Sequence, residues 1–151
     1  MFRFRLIALN LVYFLNVLLI FLLVFEDKVQ LPLFLQVTGR MHPLILHFPL
    51  VLIFVGIFLE YLITRKTFQH SATEKITLYV FYLFALSAAL TALFGFFLYK
   101  EGSYLGEEVI LHKWMGTAVS LLGVLIIWLK ERRAVLYYYG TLGVSTICLV
   151  L

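Results

Sequence analysis

The chain is divided into apolar blocks long enough to cross a bilayer, and this constrains its fold more than any motif within them. Five blocks qualify or nearly do: Leu6–Phe25, Pro43–Ile63, Ile76–Leu98, Val109–Leu129 and Ala134–Leu151. Crossing a hydrocarbon core of roughly 30 Å takes about 20 helical residues. Helix is the required conformation, because a lone open strand leaves its backbone groups unpaired in lipid. Composition agrees: 64% of the 151 residues are hydrophobic and 13% are charged, whereas soluble domains hold about 25% charged residues. A water-exposed fold has too little interior for so much apolar surface. The sequence predicts an all-α integral membrane bundle of five transmembrane helices, forming one domain.

The opening MFRFR and the apolar run behind it resemble a secretory signal. The run is too long for one, and LLVFED offers no small-x-small cleavage site, so it is expected to remain as the first span. The last block is the shortest, and the sequence stops inside it. That helix is expected either to end flush with the membrane or to continue past Leu151.

Basic residues set the orientation. With the N-terminus inside, eight Lys and Arg fall on the inner side: Arg3, Arg5, Arg65, Lys66, Lys75, Lys130, Arg132 and Arg133. Four fall outside, Lys28, Arg40, Lys100 and Lys113, diluted by Glu26, Asp27, Glu101, Glu107 and Glu108. The positive-inside rule therefore predicts a cytoplasmic N-terminus and an outer C-terminus. The net charge of +4 comes from these short clusters and not from a basic patch, which argues against nucleic acid as a partner. The single cysteine, Cys148, cannot form a disulfide within the chain, and no C-x-x-C-H is present for covalent haem attachment.

Against this background the stretch GRMHPLILHFPLVLI, residues 39–53, stands out for two histidines and two prolines. Pro43 suits the first turn of a helix, where its missing N–H costs nothing. Pro49 removes the bond to the Ile45 carbonyl and should bend the helix just below His47. The second and fourth spans both descend from the outer face, which places His47 and His112 at matching depth, with His42 just above them. His70 is alone in an inner loop. His42 and His47 are about 140° apart around a helix, so they are not expected to share one axial direction. His47 has the better place within the helix, and His42 suits a cap or a propionate contact.

Below His112, Gly116, Val119 and Gly123 return to within about 40° of its direction. Ala85, Ala88, Ala92 and Gly95 form a similar groove on the third span. Such stripes serve close helix packing or leave room for a flat cofactor, against which Leu50, Phe54 and Phe58 could pack. Two imidazoles in an apolar setting without acidic ligands suit haem iron. Zinc and copper suit them less, for want of a fourth ligand. Arg40, Lys113 or His42 would meet the propionates, and Gly116 would give the ring clearance. Asn10 and Asn16 are expected to hydrogen-bond between helices, and Glu60 to reach Arg65 or water. Trp114, Trp128, Tyr99, Tyr104 and Tyr137–Tyr139 are expected in interfacial belts. No chain of carboxylates crosses the membrane, which weighs against a pump or an ion-coupled transporter.

The pattern HPLILHFP followed by HKWMG resembles the signature of an uncharacterised bacterial predicted-membrane-protein domain, with HPLxxHFP opening one helix and HxWxG another. The resemblance covers roughly residues 39–125 and falls on His42, Pro43, His47, Pro49, His112, Trp114 and Gly116. That domain is similar to haem-b-binding four-helix membrane cytochromes, and some members are fused to, or encoded beside, periplasmic c-type cytochromes. The resemblance implies a b-type haem held by His47 and His112, with His42 as the competing ligand. It further implies an electron-transfer subunit with a periplasmic c-type cytochrome or a larger respiratory complex as partner. A quinone is a further cofactor candidate. The competing expectation is a cofactor-free structural subunit that packs on a larger membrane complex through its small-residue grooves.

Overall fold

A computed structural model describes residues 2–65, 67, 69–102 and 106–150, with side chains except those of Phe2 and Phe4. Lys66, Tyr104 and Leu151, which enter the expectations above, lie outside the described residues. Seven helices follow in order: α1 Phe2–Val24, α2 Leu33–Gly39, α3 His42–Ile45, α4 His47–Ile63, α5 Ser71–Lys100, α6 Glu107–Glu131 and α7 Val135–Val150. No strand occurs among the described residues. Four helical stretches are long and apolar enough to cross a membrane: Arg5–Val24, His42–Ile63, Ser71–Lys100 and Glu107–Glu131. The first four blocks of the sequence thus appear as helices of spanning length. The fifth, α7, has 16 residues, about 24 Å of helix.

Two elements depart from expectation. The stretch before the second span contains the short helix α2, which packs on α5. A Cβ on Gly39 would lie 2.5 Å from the Leu98 backbone nitrogen, so only glycine lets the two backbones approach this closely. α5 is also longer than its apolar block. It starts after extended His70, carries Glu74 in its first turn and Lys100 in its last, each favourable to the helix dipole. It ends with Gly102 in the left-handed region at φ 82°, where glycine has no Cβ penalty.

α5 is the centre of the bundle and touches α1, α2, α3, α4 and α6. Phe81, Phe84, Ala85 and Ala89 on it are fully enclosed. α6 also packs closely on it: a Cβ on Gly123 would lie 3.1 Å from both the Cα and the Cβ of Ala85. The seam of small residues therefore serves close packing at this depth. Nearby, the Ser120 hydroxyl donates to the Asn16 side-chain oxygen at 2.8 Å, joining α6 to α1. Asn16 closes its remaining valence on the Val12 carbonyl. Asn10, expected in a similar role, is exposed.

Charged groups gather at the two ends. At one end Glu60 accepts from Lys130 and from the hydroxyls of Tyr138 and Tyr139. Arg65, its expected partner, instead donates to the Tyr61 hydroxyl. Beside this cluster Arg5 pairs with Glu131 at 2.7 Å. Tyr138 is thereby buried, while Tyr137 and Tyr139 remain exposed as an interfacial belt requires. At the other end Arg40 pairs with Glu101, and Lys113 with Glu26.

Two stability results are expected. Gly123→Val should destabilise the fold by about 1–3 kcal/mol through overpacking against Ala85. Glu60→Leu should cost about 3–5 kcal/mol by stranding the Lys130 ammonium, and the double substitution with Lys130→Met should recover most of the loss. Unfolding in detergent checks both.

Candidate functional site

The second span begins with a gap in its hydrogen-bond ladder. α3 and α4 are separated only at Leu46, which keeps helical angles of φ −54° and ψ −31°. Pro49 has no N–H to offer the Ile45 carbonyl, and this accounts for the gap. The irregularity falls just above His47 and next to the turn that carries His42.

The direction in which this span packs selects between the two histidines. Pro49, Ile53, Gly56 and Glu60 are its buried residues, and their offsets from His42 place all of them within about 40° of it. His42 therefore faces the bundle. His47 is exposed, and its Nδ1 rests 2.9 Å from the Pro43 carbonyl of its own helix. Phe54 and Phe58, expected to flank a ring inside, point outward with 50% and 58% of their surface exposed.

The imidazole brought against His112 is that of His42, not that of His47. The two rings have centroids 5.9 Å apart and planes at 85°. His42 Nδ1 lies 2.9 Å from the Thr91 carbonyl on α5. As the donor in that contact, Nδ1 carries the proton and leaves Nε2 as the free lone pair, the arrangement found in metal-ligating histidines. Gly95, one turn further along α5, makes room for the ring: a Cβ there would lie 3.0 Å from His42 Cε1. Thr91 and Gly95 are signals that reading the histidines alone did not find.

These residues border a cavity of about 430 Å³, within the range of small-molecule sites. Ala88, Ala92, Gly95 and Gly116 form small-residue wall; Cys148 reaches it from α7 and Glu108 from the start of α6. Gly116 has open space where a Cβ would sit. The two seams thus change role with depth. At Gly123 and Ala85 they close on each other, and nearer His42 and His112 they line a void. The Thr91 hydroxyl, buried on this wall, has no hydrogen-bond partner.

The basic residues expected to meet propionates already hold carboxylates. Lys113 sits 2.9 Å from both Glu26 oxygens and 4.1 Å above the Tyr99 ring. Arg40 is fixed on Glu101, and its hydrogen bond holds the Glu101 carboxyl below the usual carboxylate range. That contact therefore lasts above the ordinary glutamate pKa and is released only as pH falls through the lowered one.

The donor set tests what could be held here. Among the described residues no three His, Cys, Asp or Glu side chains converge on one point, so a bare tetrahedral ion lacks ligands. Two imidazoles fit a metal that brings its other ligands with it, as haem iron does. The residues present supply two imidazole donors, His42 partly buried and His112 exposed, with small side chains beside them that would admit such a group. Set against known proteins, the chain matches no family model, no curated protein and no solved structure.

Gly95→Ala should push the His42 ring off the Thr91 carbonyl, whereas Gly116→Ala should leave it in place. Imidazole ¹⁵N resonances, which report the protonated nitrogen, would show the His42 tautomer lost in the first variant and kept in the second.

Proposed function

We propose that this protein is a multi-pass subunit of a bacterial inner membrane that holds one b-type haem between His42 and His112 and passes single electrons. The observation that carries the proposal is the pair of imidazoles brought edge to face from two helices, with the Thr91 carbonyl fixing the tautomer of one. α7 serves as the fifth span, its shortness met by local thinning of the bilayer. The N-terminus lies in the cytoplasm, as the excess of Lys and Arg at that end favours, and the haem end faces the periplasm.

Haem iron bound by two histidines supplies a one-electron couple with no open coordination position. The chain's own residues do the rest. Thr91 and Gly95 orient His42, Gly116 keeps the wall open, and Lys113 neutralises Glu26 beside the mouth. A single haem near one face does not carry electrons across the membrane, so transfer runs along the outer side. The donor is a membrane quinol, and the acceptor a periplasmic c-type cytochrome or a larger complex. Quinol oxidation would release two electrons, passed on one at a time, and two protons, one to Glu108, exposed on the cavity lining, and one to the outer water.

A reduced-minus-oxidised absorption spectrum of protein purified gently from its native membrane tests this, alongside a haem assay. The expected result is a low-spin b-type α-band at about one haem per chain. It should be lost in His42→Ala and His112→Ala, retained in His47→Ala, and reduced in Gly116→Val. Loss only in His47→Ala would return the ligand to that residue. A flat spectrum would overturn the proposal and leave the cofactor-free structural subunit in its place.

A further inference from the structure

The end of the bundle away from His42 and His112 holds a second cavity, of about 440 Å³, between the end of α4, the start of α5 and the α6–α7 turn. Its charged lining divides into two groups. Glu60 is satisfied by Lys130 and two tyrosines, and Glu131 by Arg5 and Tyr82. Lys75 and Arg133 also line it, and neither side chain has a hydrogen bond or ion pair among the described residues. Glu74 completes the rim. The unmatched groups therefore leave one net positive charge, equal and opposite to a single phosphodiester.

Arg133 adds an independent observation. It closes α6 in the left-handed region, at φ 55°. The Ala134 N–H bonds to the Leu129 carbonyl, and the Arg133 N–H to that of Lys130. This is the Schellman arrangement, in which the left-handed position usually belongs to glycine. α5 ends with glycine at the same position, Gly102. A residue with a Cβ is strained in this conformation, so the backbone would be better served by glycine at 133. What the strained turn provides is a guanidinium at the cavity rim, beside the aromatic belt of Tyr137 and Tyr139. Guanidinium pairs well with phosphate oxygens, and basic pockets between the ends of membrane helices suit anionic headgroups.

We infer that this cavity is a binding site for the headgroup of a monoanionic phospholipid, with the phosphodiester held by Arg133 and Lys75. The same phosphate chemistry could come from free inorganic phosphate, and the test separates the two sources. Native mass spectrometry and thermal unfolding of the full chain in detergent would be run with added phosphatidylglycerol, phosphatidylcholine or inorganic phosphate. Phosphatidylglycerol should be retained at one molecule per chain and raise the unfolding temperature; the other two should do neither. Arg133→Gly and Lys75→Gln should each weaken phosphatidylglycerol binding about fivefold, the effect of one basic group near a membrane surface. Arg133→Gly relieves the backbone and should unfold at the same or a higher temperature without lipid, so its binding loss cannot come from misfolding. Undiminished binding in both variants, or equal retention of phosphatidylcholine, would overturn the site. An equal shift with inorganic phosphate would overturn its assignment to lipid.

Discussion

The contact between Gly123 on α6 and Ala85 on α5 fixes how near α6 comes to the central helix of the bundle. Lipid tails are as apolar as leucine side chains, so helices in a bilayer gain little from hiding apolar surface and associate where backbones can pack closely. A glycine against an alanine permits that approach, and a larger residue at either position would separate α5 from α6. With their spacing set there, the same small-residue seams, followed toward the other end, no longer meet. Gly116 looks into open space, and Gly95 takes up the edge of an imidazole in place of a helix.

The polar groups follow from the same solvent. An uncompensated charge in hydrocarbon is expensive, and the interior accordingly keeps few polar groups, most of them partnered. Asn16 and Ser120 satisfy each other. Glu60 lies at the end of α4, where a lysine and two tyrosines reach it. Lys113, whose side chain is only 9% exposed, is tolerated because Glu26 sits against it. Two enclosed hydroxyls lack a partner among the described residues, those of Thr91 and Ser145. The Thr91 hydroxyl lies beside the histidine pair. Lys75 and Arg133 stand at the rim of the opposite cavity without carboxylates of their own. These two places give the molecule its two proposed ligands.

What could be read directly from the residues was whatever depends on one helix at a time. The long apolar blocks required helices of spanning length, and four of them have it. Pro49 pointed to an irregularity in the second span, expected below His47; the ladder opens above it, at Leu46, because the missing N–H leaves the Ile45 carbonyl unpaired one turn earlier. The spacing of His112, Gly116 and Gly123 placed them on one face, as it must at about 100° per residue. The 140° between His42 and His47 was equally plain, so only one of them could face inward.

Which one faced inward was a question about a helix's rotation against its neighbours, and no periodicity within a uniformly apolar helix answers it. In water a polar stripe would have marked the outer face; in lipid both faces are apolar, and Phe54 and Phe58 outside look like Ile53 inside. The choice of His42 was made by contacts between helices: Gly95 clearing space, the Thr91 carbonyl fixing Nδ1, and Gly56 letting the lower half of the span lie on Phe81. The partner of Glu60 was decided in the same way, since Lys130 and Tyr138 lie 70 and 78 residues away in the chain. The sequence by itself determined that the chain forms apolar helices long enough to cross a membrane, with histidines on two of them. Only the tertiary structure decided which histidines meet, because that depends on how helices turn toward one another and not on what each contains.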